Sequence, residues 1–559
     1  MHRSVGGVWP QTAGDRNHRR NLTVTGIMSV STVEQPEPAV DDGNARPQPR
    51  GRFRDPVLIA VLAAVISGAW ASRPSLWFDE GATISAAASR TLPELWKLLG
   101  HIDAVHGCYY LLMHGWFAVF PPTEFWSRVP SCLAVGAAAA GVVVFTKQLA
   151  PPSSARMLAL CAGALFAILP RVTWAGIEAR SSALSVAAAV WVTVLFVAAV
   201  RRNRARLWVS YALSLMLSIL ISIHLGLLVT VHAAMLPLLA PANARRSPFL
   251  RWLTSAVIAL GAMTPFGLFA HGQVWQVGWI GGLTRNLFLD VVHRQYFDHS
   301  VPFAILAGVL VVVAIVVHAI VTRKGGASGP AGGTRRLLLI ATAWIVIPNA
   351  VVLIYSVTVE PMYYPRYLIL TAPAAAVVLA LCIVTIARKP WLVAGLVLAC
   401  AVAAFPNYYF TQRGPYAKEG WDYSQVADLI SSHAAPGDCL LVDNTVPWRP
   451  GPIRALLATR PNAFRSVIDV ERGVYGPKVG ALWDGHIAVW LTTAKINKCP
   501  ALWTITNRDK SFPDHQAGQS LPPGAAFGRT PVYQFPSYLG FHIVERWQFH
   551  YSQVVKSTR

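Results

Sequence analysis

Residues 54–80 read RDPVLIAVLAAVISGAWASRPSLWFDE. An apolar run over about 56–72 is followed almost at once by two aromatics and two adjacent carboxylates, Trp77-Phe78-Asp79-Glu80. Arg50, Arg52 and Arg54 precede the run. Positive flanks stay in the cytoplasm, so the acidic pair emerges on the opposite face. Neighbouring residues on a helix point about 100° apart, which gives Asp79 and Glu80 different surroundings and different jobs. Carboxylates close to hydrocarbon usually mark function. Partial burial raises their proton affinity, as suits a base that takes a proton from a hydroxyl. The plainer alternative is a pair of solvated charges at the start of a juxtamembrane helix.

Outward from this stretch the chain stays apolar. Of its 559 residues, 54% are hydrophobic and 13% charged, against about 25% charged in a soluble domain. Further apolar runs lie at about 129–148, 156–173, 181–200, 207–222, 225–240, 252–270, 301–322, 337–356, 367–387 and 391–406, most of them near the roughly 17–25 residues that cross a bilayer. The run at 107–120 is short and ends at Pro121-Pro122. Positive charge clusters at Lys147–Arg156, Arg201–Arg206, Arg245–Arg251, Arg323–Arg336 and Arg388-Lys389. All five clusters are cytoplasmic only if 107–120 does not cross, so eleven crossings are expected, twelve if it does. The net charge of +22 then reports orientation and contact with anionic lipid. The basic residues form no interleaved patch, which excludes a nucleic-acid partner.

Three regions follow. Residues 1–55, rich in Arg, Pro and Gly, are expected to be a disordered cytoplasmic tail. Residues 56–408 form the membrane domain, with outer loops at 73–106 and 271–300. Within the first of these, Leu92–Leu99 follows Thr91 as a helix cap, and Trp96 and the leucines are placed to lie on the bilayer surface. Residues 409–559 read as a small α/β domain on the outer side: a helix over Trp421–Ser432 and strands at Cys439–Val442, Ile487–Leu491 and Ala501–Ile505. Cys439 and Cys499 pair if this region faces an oxidising compartment and stay free otherwise.

Polar groups gather at the outer ends. His101, Asp103, His106, Tyr109 and Tyr110 lie beside the short run; they serve as donors to a sugar or phosphate, as interfacial anchors, or, less in keeping with their spacing, as metal ligands. Glu178-Ala179-Arg180 sits at the mouth between two spans, and Arg128 heads another. Tyr363-Tyr364-Pro365-Arg366-Tyr367 places a guanidinium among phenols at a membrane face, which suits a lipid-borne phosphate or a snorkelling anchor. Loop 271–300 carries Trp275, Trp279, Arg285, His293, Arg294 and Tyr296, groups that stack on sugars or cover a lipid groove.

The order of Trp77-Phe78-Asp79-Glu80, Tyr109-Tyr110-Leu111-Leu112-Met113-His114, Arg128-Val129-Pro130-Ser131, Glu178-Ala179-Arg180 and Arg366-Tyr367 resembles the GT-C glycosyltransferases of the protein O-mannosyltransferase and aminoarabinose-transferase type. Within that class it is most similar to actinobacterial mannosyltransferases that use polyprenyl-phosphate-mannose. The resemblance covers about 56–432. It departs where relatives often have Pro-Pro before Tyr-Tyr and this chain has His106-Gly107-Cys108. It implies a polytopic α-helical membrane protein of GT-C type with a C-terminal extracytoplasmic α/β domain, active at the outer face of the cell membrane. The implied reaction is inverting transfer of mannose from a polyprenyl-phosphate donor to a glycan or glycolipid acceptor, with neither metal nor cofactor. It also implies the roles: Asp79 as base, supported by Glu80; Arg366, Tyr367 and Arg180 on the donor phosphate; Trp77, His101, Asp103, His106, Tyr109, Tyr110 and Glu178 around the sugar and acceptor. An arabinosyltransferase, and a transporter of lipid-linked sugar, use similar groups.

Overall fold

The computed structural model describes residues 53–240, 245–323, 332–443, 452–509, 519–521 and 531–559. The tail expected over 1–55 lies outside these residues except at its end. Helices occupy all eleven expected spans. Among the described residues, seven are long and apolar enough to cross a membrane, and an eighth arises if Ala155–Ile168 and Pro170–Gly176, bent by 61° at Leu169, count as one. The other three, α1 (Arg54–Gly68), Ala205–Ile221 and Leu228–Leu239, have 15, 17 and 12 residues, short of the roughly 20 needed to span.

Helix α1 stops early for a local reason. The chain turns at Trp70, with φ +55°, and Pro74 follows. Carbonyls left over at a helix end need donors, and two buried arginines supply them. Arg413 donates to Ile66, Ser67 and Ala69; Arg128 donates to Ala71, Pro74 and Ser75.

The loops sort into two ends. At one, Asp55 pairs with Lys147 at 2.6 Å and Arg156 at 3.1 Å, and Gly333 packs on Pro151. At the other, Glu80 accepts from the Ala179 N–H and the Gln273 side chain accepts from the Ala104 N–H. This sorting needs the short run not to cross. Its helix, α4 (Gly107–Phe117), has 11 residues and rises only about 16 Å. Helices Glu124–Leu149 (α5) and Ser182–Arg202 are central and largely buried. Arg246–His271 and Val301–Arg323 turn Val257, Ile258, Leu268, Ile305 and Val312 outward, as expected of a lipid-facing periphery.

Beyond the last span, a six-stranded mixed sheet has the order β2-β1-β3-β6-β5-β4. Its strands are β1 (Cys439–Val442), β2 (Ile468–Asp469), β3 (Ala501–Asn507), β4 (Gln519–Leu521), β5 (His542–Gln548) and β6 (Ser552–Thr558). β1 runs parallel to β2 and β3; β3, β6, β5 and β4 pair antiparallel. Cys439 and Cys499 are disulfide-bonded. The strand expected at Ile487–Leu491 is instead a single helical turn, Val489–Leu491; next to it, His486 makes only an isolated bridge with Arg472, outside the sheet.

The sheet region shares one hydrophobic core with the first outer loop. Ala82 and Ala86 of α2 (Phe78–Ala87), Leu95 and Leu98 of α3 (Leu92–Leu99), and Tyr109, Tyr110 and Met113 of α4 pack with Val426, Ile430, Leu440, Trp503 and Trp547. Leu95, Leu98 and Leu99 of α3 therefore face protein rather than lipid, while Leu92 and Trp96 stay exposed. Thr91 caps α3 through a reciprocal pair with Glu94. Gly81 lets α2 approach the helix Pro452–Thr459: an added Cβ would stand 2.8 Å from the Thr459 hydroxyl and 3.7 Å from the Ala455 carbonyl. Gly81→Val should destabilise the protein by roughly 1–3 kcal/mol, the usual penalty of overpacking, read as a lower midpoint of thermal unfolding in detergent.

Candidate functional site

Asp79 and Glu80 lie in the first turn of α2, where unpaired N–H groups and the helix dipole favour negative charge. Their environments diverge at once. Glu80 is fully buried and bonded to Arg128, whose side chain is also fully buried, at 2.7 Å. Arg128 makes five hydrogen bonds: two to the Glu80 carboxylate and three to the backbone carbonyls of 71, 74 and 75. All five guanidinium protons are thereby used. Glu80 also accepts the Ala179 N–H at 3.0 Å, while Thr83 and Ser131 donate to the Ala179 and Glu178 carbonyls. Glu80, expected beside Asp79 as a catalytic group, is thus walled off; it fixes α2, α5 and the Glu178–Arg180 loop to one another.

Asp79 faces the other way. Its Oδ2 lies 3.2 Å from a terminal nitrogen of Arg366, both side chains being partly exposed. The Arg366 guanidinium lies over Trp77, Tyr364 and Tyr367 at 5.3, 5.0 and 6.0 Å from the ring centres, so aromatic faces hold the cation where few other partners reach it. Its second terminal nitrogen is 3.7 Å from Glu419.

Alongside runs a chain of hydrogen bonds. Arg180 donates to the Tyr110 hydroxyl at 2.9 Å and to His106 Nε2 at 3.1 Å, and Tyr110 donates to Asp103 at 2.6 Å. Burial, with Arg180 next to it, holds the His106 imidazole well below its usual proton affinity, so the ring is neutral and accepts from the guanidinium. Burial raises the Asp103 acid, against the pull of Arg180. Asp103 itself sits at φ +61°, held from loop 271–300: Gln276 takes its N–H and Gln273 that of Ala104. Glu178 is buried, and burial raises its acid against the opposing charge of Lys418. Lys418 is buried too, and its ammonium proton is correspondingly easier to lose; its Nζ lies 4.1 Å over the Trp174 ring.

Arg366 and Glu419 also line a cavity of about 520 Å³, together with Arg171, Trp174, Trp279 and Tyr364. Asp79 is not among its lining residues. The guanidinium therefore belongs both to the carboxylate and to the cavity.

The structure thus brings Trp77, Asp79, Asp103, His106, Tyr110, Glu178, Arg180, Arg366 and Tyr367 into one neighbourhood. It does not bring His101, whose ring bonds the Lys97 carbonyl and packs on Gly480. Tyr109, like Tyr110, is buried in the core shared with the sheet region, with Arg180, Glu178 and Glu80 close enough to act on its phenol. Lys418, Glu419, Trp174 and Arg171 were missed. The first two follow the last span in what reads as a connector. The two at 171 and 174 read as the end of an ordinary span; a charge at its outer end was the one signal.

The fold is the GT-C membrane glycosyltransferase fold. Among solved structures the chain is similar to ArnT from Cupriavidus metallidurans bound to undecaprenyl phosphate, with a TM-score of 0.50 and 14% identity, covering 89% of this chain and 97% of that one. It is similar to the same protein in the apo state, with a TM-score of 0.50, 11% identity and the same coverage of 89% and 97%. A complex of the Archaeoglobus fulgidus oligosaccharyltransferase with zinc and sulfate aligns at a TM-score of 0.43, with 14% identity over 80% of this chain and 67% of that one. No family model matches the chain, and no curated protein matches it.

Proposed function

We propose that this protein is an inverting glycosyltransferase that moves mannose from a polyprenyl-phosphate carrier to a cell-envelope glycan or glycolipid at the outer face of the cell membrane. One observation carries the reading: Asp79 and Arg366, from opposite ends of the membrane domain, meet at 3.2 Å at the mouth of the spans. A base beside a phosphate-holding cation is the pair that transfer from a lipid phosphate requires. ArnT, which shares the fold, has been solved with undecaprenyl phosphate bound. In the proposed reaction the acceptor oxygen bonds to the sugar C1 as the C1–O bond to phosphate breaks on the opposite side. Asp79 takes the acceptor proton. A β-linked donor then gives an α-glycoside. The carrier leaves as a phosphate monoester with one more negative charge than the diester, and Arg366, with Tyr367 and Arg180, meets that charge as it forms. Glu178, His106 and Tyr110 line the sugar, and Glu80 positions Asp79 through α2. The site works on the extracytoplasmic side, a reading supported by the positive charge of the loops at the other end of the spans. The sequence resemblance reaches furthest to the enzyme that begins mannose capping of mycobacterial lipoarabinomannan, and the proposed acceptor is a cell-envelope glycan or glycolipid.

The test is to incubate membranes containing the protein with an oligosaccharide acceptor and labelled polyprenyl-phosphate-mannose or polyprenyl-phosphate-arabinose in parallel. An acceptor lengthened by one α-linked mannose is the expected product. Transfer of arabinose alone would replace the sugar and keep the reaction. Movement of labelled carrier across vesicles with no longer glycan would make the protein a transporter.

A further inference from the structure

Glu419 is the second carboxylate on Arg366, and it reaches that place in an unusual way. Its φ is +54°, and that of Gly420 is +85°. A residue with a Cβ rarely adopts the left-handed conformation, and such strain persists where the surroundings impose it, commonly at ligand sites. Here the turn between β5 and β6 imposes it. The His550 ring stacks on Tyr416 at 5.1 Å between centres and its Nδ1 lies 2.9 Å from the Gly420 carbonyl; a Cβ on Gly420 would stand 2.6 Å from that ring. Asp422 accepts three hydrogen bonds, from the Tyr551 and Ser552 N–H groups at 2.7 Å each and from the Ser552 hydroxyl at 2.8 Å. On the other side of Glu419, the Lys418 side chain is buried against Trp174. The clamped loop thus presents Glu419 to the cavity, with its side chain 55% exposed and its Oε1 3.7 Å from Arg366. That separation is too long for a hydrogen bond: the buried Arg366 nitrogen has no hydrogen-bond partner among the described residues, and the carboxylate facing it is exposed and free to move.

We infer that Glu419 occupies the seat on Arg366 that a lipid-linked phosphate takes: it is a built-in, displaceable anion. With the cavity empty it balances the face of the guanidinium that Asp79 leaves uncovered. An entering phosphate, with more charge and a geometry that matches the guanidinium fork, replaces it there, and Glu419 swings into solvent while Arg366 stays beside Asp79. The inference rests on Arg366 being the phosphate-holding group of the proposed reaction.

Binding separates the two claims without turnover. Undecaprenyl phosphate in detergent micelles is titrated into full-length protein, followed by intrinsic tryptophan fluorescence, for the unaltered chain, Glu419→Gln, Glu419→Asp and Arg366→Gln. Removing the competing anion should tighten binding roughly 3- to 10-fold in Glu419→Gln. The shortened carboxylate of Glu419→Asp, withdrawn from Arg366, should tighten it less. Arg366→Gln should abolish binding. A residue that merely braced the loop would weaken binding when replaced. Unchanged or weaker binding in both Glu419 variants, with Arg366→Gln still inactive, would overturn this inference alone. Equal binding by Arg366→Gln and the unaltered chain would overturn it together with the phosphate site. Should Glu419→Gln fail to fold, Glu419→Asp decides.

Discussion

Asp79→Asn is expected to abolish sugar transfer, lowering the rate by about 10²- to 10⁴-fold, the contribution typical of a positioned general base. Asparagine has the same shape as aspartate and still reaches Arg366, but its amide oxygen does not take a proton from a hydroxyl. The guanidinium keeps Glu419 and its three aromatic neighbours, so insertion, folding and carrier binding should survive. The measurement is transfer from labelled polyprenyl-phosphate-mannose, alongside size-exclusion profiles and carrier binding of the same preparation. Carrier binding retained with transfer lost assigns the defect to proton removal. Transfer at the ordinary rate would remove Asp79 from the mechanism.

Arg128→Met is expected to have the largest effect on stability. It takes from a buried carboxylate its counter-charge, leaving it only the Ala179 N–H among the described residues, and takes from three backbone carbonyls their Arg128 donors. Breaking a buried ion pair from one side leaves an uncompensated charge and costs about 3–5 kcal/mol. The double variant Glu80→Gln with Arg128→Met removes the stranded charge and should recover part of that loss. Midpoints of thermal unfolding in detergent for the single and double variants test this. A double variant no more stable than Arg128→Met would mean that the carbonyl bonds, and not the charge pair, carry the energy. Because Glu80, which Arg128 holds in place, also accepts the Ala179 N–H, the single variant should also lose activity at temperatures where it remains folded.

The apolar period made the spans legible, and the placement of positive charge made their sorting into two ends legible. Both are written in long, redundant runs of sequence. Asp79 and Arg366 stood out for the same reason: a charge beside hydrocarbon is conspicuous wherever it falls. What did not stand out depends on contacts between distant segments. Glu80 reads like Asp79 until α5 delivers Arg128 to it. Leu95, Leu98 and Leu99 of α3 read as a membrane face until the sheet region covers them. Strands β2, β4, β5 and β6 are short or mix polar with apolar residues, as β5 does in His542–Gln548; β5 and β6 form a hairpin, but β6 also pairs with β3 and β2 with β1 across longer stretches of chain. Glu419 carries no local signal, because its position is set by a turn more than a hundred residues further on.

The core that α2, α3 and α4 share with the sheet sets an order for biosynthesis. The ribosome makes the Asp79 helix before any span but the first, yet strands β5 and β6, which complete the core around it, follow every span. Until then the Asp79 helix waits half-covered. A nonsense codon between the last span and β5 should therefore leave every span made and the core around Asp79 unfinished.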